Sequence, residues 1–322
     1  MSNVLGARGS IGFKKEAVPG AAEETVNLFF ASTKFNVFQK PGVIEREARI
    51  NTLATLPAKK GLLTPQGSVE TELVAALPHP FYWALGNVSS SQPDATNAPT
   101  VYQHLITLLA SGELPSLTVE GDKVDVQRKQ AGAKINGLEL SCAAGELATL
   151  TFDWLAKTHD DSPTLTSTPA YQLTPLTFEG AYITINETPS TLVENVTLKI
   201  DNGLEQKHIL GDSRLPGVVR REKVPKITGK LVFIDYPDEE YTKLVNATTF
   251  ALVLRFRGEV ISGTYYNQLE ITLPAAQYTE GLEPDVEGDA VITAEGDFEA
   301  VYDSETAKMI SIVAQNTVTV LT

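Results

Sequence analysis

The sequence predicts a mainly β protein. It is laid out as two tandem β-sandwich or barrel domains, each with a short flanking α-helix, behind an extended N-terminal arm. Three observations carry this expectation. First, apolar and polar residues alternate in many short stretches, as in Val196, Leu198 and Ile200 against Thr197 and Lys199, the period of a half-buried strand. Second, a strand, a long polar loop, a strand and a short helix-like segment occur twice. Sliding the chain on itself by 162 residues sets Phe38 on Ile200, Gly67 on Gly229 and Val69 on Leu231 without a gap, which reads as an internal duplication. Third, residues 158–174 are rich in Thr, Ser, Pro and Asp and form the best linker in the chain. A rival register lays 41–47 on 216–222 with more identities, but it misplaces the flanking strands.

Taken in order, residues 1–31 carry Gly6, Gly9, Gly12, Pro19 and Gly20 and read as an extended arm that docks on a neighbour. A phosphate loop is the poorer reading, because no strand precedes these glycines and no Lys-Ser/Thr pair or helix follows them. The first domain spans 32–157. It begins with a strand at 34–38 and a polar loop holding Pro41, Gly42, Arg46 and Arg49. A strand at 66–73 and a helix at 79–86 come next. Residues 101–109 fit helix or strand. Strands at 116–120 and 124–127 are expected around a turn at Gly121 and Asp122, and a hairpin is expected from 138–141 to 147–155 through Ala144 and Gly145. Leu150, Phe152 and Trp154 share one face of that last strand.

The second domain spans 175–322. A hairpin through Glu179 and Gly180 opens it, followed by the strand at 193–200. The loop 202–223 contains Arg214, Arg220 and Arg221. The strand at 231–234 is apolar on both faces, which predicts cover on both sides. A helix is expected at 237–247, then strands at 250–256, 269–273, 290–294, 298–302 and 310–314, and an alternating tail at 317–322. Loops as long as 40–60 and 202–223 are usually functional.

Composition limits the classes. The chain has 322 residues, 42% hydrophobic and 20% charged, which suits two packed domains rather than a disordered chain. Its single cysteine, Cys142, excludes an internal disulfide and reads as a small buried hydrophobe. No apolar run has the length of a membrane span, and the N-terminus has no signal-peptide pattern. The sequons at Asn87, Asn186, Asn195 and Asn246 are then expected to be chance. A net charge of −14 argues against condensation onto nucleic acid.

Catalytic chemistry has no foothold. His79, His104, His159 and His208 fall on four separate elements without metal-ligand spacing. His159 lies beside Asp160 and Asp161 in the linker and is most simply solvated. No nucleophile elbow occurs. The acidic run places Asp285, Glu287 and Asp289 on one side of an extended chain. Such a cluster could hold calcium, but the spacing is not that of an EF-hand, and a solvated or cavity-facing acidic wall is the simpler reading. No catalytic, cofactor or metal residue is therefore assigned.

Four motifs stand out: the arm with Gly9, Ser10, Ile11, Gly12 and Phe13, then Glu16 and Gly20; Asn202, Gly203, Leu204 and Glu205 after a strand; Arg220, Arg221 and Glu222 leading to Gly229, Lys230 and Leu231; and the late strand Leu269, Glu270, Ile271, Thr272. Together they resemble the major tail tube proteins of long-tailed bacteriophages. The resemblance covers nearly the whole chain. It implies β-sandwich units with a flanking helix, stacked as homo-oligomeric rings into a tube of the virion tail made in the host cytoplasm. It also implies a lumen that holds a tape measure protein and later passes double-stranded DNA, with tail terminator and tail tip proteins as further partners and no membrane. Most of that wider group carry one tube domain and form hexamers. Two domains per chain predict a homotrimer with pseudo-sixfold shape. Sheet edges and long loops supply the contacts, with Arg46, Arg49, Arg214, Arg220 and Arg221 as candidates between rings. Two other classes remain open. One is a β-sandwich adhesin or carbohydrate-binding module, which would present Tyr265 and Tyr266 or Tyr82 and Trp83 on one face. The other is an enzyme.

Overall fold

The computed structural model describes residues 8–48, 55–211, 213–283 and 293–321. The first half contains β1 (Ser10–Lys15), β2 (Leu28–Phe29), β3 (Ser32–Ile44), β4 (Lys59–Glu72), α1 (His79–Leu85), β5 (Gly86–Ser91), β6 (Tyr102–Leu108), β7 (Leu117–Asp122), β8 (Gln127–Ala143), β9 (Thr149–Leu155) and β10 (Thr158–Asp160). The second contains β11 (Ala181–Ile185), β12 (Thr188–Pro189), β13 (Val193–Asp201), β14 (Leu204–Lys207), β15 (Val218–Arg221), β16 (Lys226–Phe233), α2 (Asp238–Val245), β17 (Phe250–Ser262), β18 (Tyr265–Gly281), β19 (Ala294–Ala300) and β20 (Ser311–Asn316). The protein is mainly β, as the alternation predicts, and every ladder between named strands is antiparallel.

Two runs of strands repeat one plan. The first is ordered β1-β7-β8-β9-β4-β3. The second is ordered β11-β17-β18-β19-β16-β13. Each run places its helix after the long-looped hairpin and before the three-strand meander. A glycine marks the repeat in atomic detail. A Cβ on Gly67 would lie 2.2 Å from the Trp154 ring and 2.5 Å from Asn36 O; on Gly229 it would lie 2.3 Å from the Phe298 ring and 2.5 Å from Thr197 O. In both places an aromatic ring from one neighbouring strand closely covers a bare backbone. Val37 faces Gly67 and Leu198 faces Gly229, so the true offset is 161 residues in the first strand of the hairpin and 162 in the second. Between these paired positions the second copy has one residue more, which the gapless alignment misses.

The apolar faces explain the packing. Leu150, Phe152 and Trp154 are buried, as their spacing predicts. Phe13 sits at the centre of the first core, with ring centroids 5.5 Å from Phe30, 5.6 Å from Trp83, 5.4 Å from Phe152 and 5.4 Å from Trp154. Full burial of a side chain of this size stabilises by about 1.5–3 kcal/mol. The sheet curls until β3 faces β7 and β8: Lys123 Nζ donates to Asn36 Oδ1 at 2.7 Å, and Gln130 Nε2 donates to Phe38 O at 2.8 Å. Gln130 is fully buried, and its Oε1 accepts from Trp154 Nε1 at 2.8 Å. In the second core Phe250 stacks on Tyr278 at 4.4 Å. The C-terminal β20 lies between β18 and β6 and so joins the two halves.

Several local expectations need correction. The stretch read as an arm contributes β1, which pairs with β7, and Ile11 and Phe13 are fully buried in this chain's own core. Its glycine pattern misled. Gly12 is needed because Val26 and Phe29 occupy the space a side chain would take. β3 runs through Pro41 and Gly42 to Ile44, so the first loop is shorter than expected. β7 continues through Gly121 and Asp122, and the turn follows it. Residues 101–109 hold a strand, β6. Residues 178–180 form a 3-10 turn, and β11 after it pairs with β17 and β12 rather than with a strand before Glu179. In β16 Leu231 and Phe233 are buried while Val232 is not, so only one face is fully covered. Part of the linker, 158–160, is β10 against β8, and the tail 317–321 is not a strand.

Candidate assembly surfaces

The two strand runs meet where β13 lies antiparallel along β8, from Asn195 opposite Ala143 to Asp201 opposite Gly137. Apolar side chains fill this joint: Leu138, Leu140, Cys142, Val196, Leu198 and Ile200 are all buried. Burial, and then the nearby Glu146 carboxylate, push the Cys142 thiol up, so it is a packed hydrophobe and a poor nucleophile. Asn202 closes the end of the joint and is fully buried. Its Nδ2 donates to Ala84 O at 2.9 Å and Ile135 O at 3.0 Å, and its Oδ1 accepts from an Arg221 Nη at 2.8 Å.

From Asn202 the long polar loop folds back over the first half. β14 and β15 pair as a separate two-stranded ribbon. Gln206 Nε2 donates to Pro65 O at 2.7 Å and Ala156 O at 2.8 Å. His208 Nε2 donates to Leu63 O at 3.0 Å, Arg214 Nε donates to Gly61 O at 2.6 Å, and Leu63 N donates to Arg214 O at 2.9 Å. These bonds satisfy the edge of β4 that would otherwise be open. They also bring the two long loops to one end of the molecule.

That end places the five candidate arginines differently. Arg46 is exposed, and Arg49 lies outside the described residues. Arg214 and Arg221 are engaged within the chain, and burial lowers the Arg221 guanidinium from its usual range. Arg220 is exposed and pairs with Glu222 at 2.6 Å; that contact holds the Glu222 carboxyl below its ordinary value. Beside the arginines the same end exposes large apolar side chains: Val43, Ile44, Leu62, Ile209 and Leu210, the last with full exposure. Grouped apolar exposure of this kind marks contact surfaces. Charge type pointed to the loops, but these residues were missed because each looks like an ordinary strand residue.

The other sequence candidates resolve as follows. His79 and His104 are buried and the Nε2 of His104 meets Asn316 Oδ1 at 3.2 Å, a bond that ties β6 to β20. Desolvation pulls the His79 imidazole down to about 4. His159 is buried against Gln130 rather than solvated, with Gln130 Nε2 3.0 Å from its Nδ1. Among the described residues no cluster of three potential metal ligands occurs. Asp285, Glu287 and Asp289 lie outside the described residues. Tyr82 and Trp83 are buried in α1, so they offer no sugar-binding face, while Tyr266 stacks with the Arg257 guanidinium 4.6 Å from its ring. Among the described residues no helix is long and apolar enough to cross a membrane.

A family model described as "Phage tail tube protein" matches residues 6–300. No curated protein matches the chain.

Proposed function

The chain belongs to the phage tail tube protein family, and from that premise we propose that three copies close a ring in which each chain supplies two wall units. The units are residues 32–157, with the N-terminal stretch packed onto them, and 175–322. The repeated strand order carries this reading: two six-stranded runs of one plan, joined edge to edge, take the place of two single-domain subunits. A head-to-tail contact that closes after three chains gives true threefold and approximate sixfold symmetry.

Rings stack into a long tail tube. The apolar end formed by Val43, Ile44, Leu62, Ile209 and Leu210 supplies the contact between rings, flanked by Arg46 and Arg220 and, from the sequence, Arg49. Arg214 and Arg221 serve this contact indirectly, by holding the loop in shape. The lumen encloses a tape measure protein and then passes double-stranded DNA. Three chains of −14 each give −42 per ring. At physiological salt the Debye length is about 8 Å, so an acidic wall keeps phosphate from sticking only at close range. The role is structural, in the virion tail, with terminator and tip proteins at the two ends of the tube; the chain is made in the host cytoplasm. Electron micrographs of the concentrated purified protein test this. Rings or tubes are expected, and dispersed monomers at all concentrations would overturn it.

A further inference from the structure

A small cavity beside the joint carries positive charge without a matching acid. It lies between β8, the loop before β7 and the ribbon of β14 and β15, and its volume is about 130 Å³. Leu114 and Leu204 give it an apolar side, where they pack in one buried cluster. Lys134, Arg220, Arg221 and Glu113 supply its charges. Three cations and one carboxylate therefore line a pocket in a chain whose net charge is −14. Lys134 is buried, and its Nζ donates to Glu113 Oε2 at 2.8 Å and to Val219 O at 2.9 Å. Of the three N–H groups of an ammonium, one is left over. Glu113 is a loose partner: its side chain is 65% exposed, against 6% for Lys134, and a solvated carboxylate neutralises a buried cation poorly. Arg221 is half-buried and makes no ion pair among the described residues. Its guanidinium bonds Asn202 Oδ1, and its Nε is buried without a partner. Buried polar atoms normally find partners, and a desolvated charge without a counter-ion is costly.

We propose that this cavity binds one small tetrahedral oxyanion, a free phosphate or an ion of the same shape and charge. Arg221 and Arg220 offer guanidinium forks, the donor geometry that suits such oxygens, and Lys134 adds its remaining N–H. Glu113 turns out into solvent, and the ion takes its place as the counter-ion of Lys134. The apolar side chains lower the local dielectric, which strengthens each contact. The lining comes from both halves of the chain: Glu113 and Lys134 from the first, Arg220 and Arg221 from the second. The ion thus fastens the ribbon to the sheet of the first half, in line with the Asn202 to Arg221 bond. The phosphates of duplex DNA share this chemistry, but a pocket so small and enclosed does not admit a nucleic acid backbone. The proposal is independent of how many chains close a ring.

The test is equilibrium dialysis of the purified protein against radiolabelled inorganic phosphate, with chloride at matched ionic strength as the background. One saturable site per chain is expected, with a saturating rise in Tm of about 2–5 °C. Glu113→Gln removes an exposed competitor and should bind phosphate about threefold more tightly. Arg220→Gln, also at an exposed position, should bind about threefold to tenfold more weakly while unfolding as the wild type does without phosphate. Amide hydrogen exchange at 204–207 and 218–221 should slow when phosphate is present. General exclusion of phosphate from the protein surface gives a different result: a rise in Tm that does not saturate and is equal in all three proteins. That result, the absence of a saturable site, or weaker binding by Glu113→Gln would overturn the proposal. So would displacement of the label by a duplex oligonucleotide at equal phosphate concentration, which would assign the phosphate chemistry to nucleic acid.

Discussion

Gly67→Ala tests the repeated architecture at the tighter of its two matched glycines. The added methyl would lie 2.2 Å from the Trp154 ring and 2.5 Å from Asn36 O. Asn36 belongs to β3 and its carbonyl is held in the ladder, so the indole must yield instead. Trp154 is buried and its Nε1 donates to Gln130 Oε1 at 2.8 Å. Overpacking of this kind costs about 1–3 kcal/mol, and loosening a buried hydrogen bond adds about 1 kcal/mol. The stiffer alanine returns about 0.5–1 kcal/mol through the unfolded chain. The net expectation is a loss of about 1–3.5 kcal/mol. Gly229→Ala meets Phe298, a ring with no hydrogen bond to lose, at 2.3 Å, so it should cost less, about 1–2 kcal/mol. Urea unfolding followed by tryptophan fluorescence and far-ultraviolet circular dichroism gives both values. Unchanged midpoints for Gly67→Ala, or a greater cost at Gly229 than at Gly67, would refute the reasoning.

Three further outcomes are expected. The folded His79 imidazole is held near 4 by desolvation, against an ordinary value of 6.5. Its contribution to stability is therefore whole above pH 6.5 and is lost as pH falls from 6.5 to 4, with a slope of up to about 1.4 kcal/mol per pH unit; His79→Phe should flatten that part of the profile in denaturation series, and an unchanged slope would count against it. Asn202→Ala removes the Asn202 amide from Ala84 O and Ile135 O and leaves Arg221 without that acceptor, so unfolding experiments should show a loss of about 2–4 kcal/mol; a loss under about 0.5 kcal/mol would mean the joint does not depend on it. Leu210→Ser with Val43→Ser should shorten tubes severalfold in micrographs while thermal unfolding of the protomer stays as in the wild type; full-length tubes would remove this end from the stacking contact.

The legible parts of the fold were those where one face is apolar and the other is not. Leu150, Phe152 and Trp154 announce β9, and Val196, Leu198 and Ile200 announce β13. The duplication was legible because Gly67 and Gly229 are held in place by the same kind of ring contact. β1 and most of β8 were not. Gly12, Gly132 and Gly137 lie in them, and a glycine that makes room for a neighbour looks, in sequence, like one that makes a turn. The loop after Asn202 was hidden for another reason. Its polar side chains bond backbone groups more than 140 residues away, such as Gln206 on Pro65 and His208 on Leu63, and no local pattern records such a bond. The arginines drew attention by charge, although two of them complete the protomer and the apolar residues beside them are the ones left bare.

The most direct measurement is the mass of an isolated ring. Three chains of 34.8 kDa, about 104 kDa in all, are the prediction, with approximate sixfold shape in averaged end views. A mass of about 209 kDa, six chains, would contradict the two-units-per-chain wall.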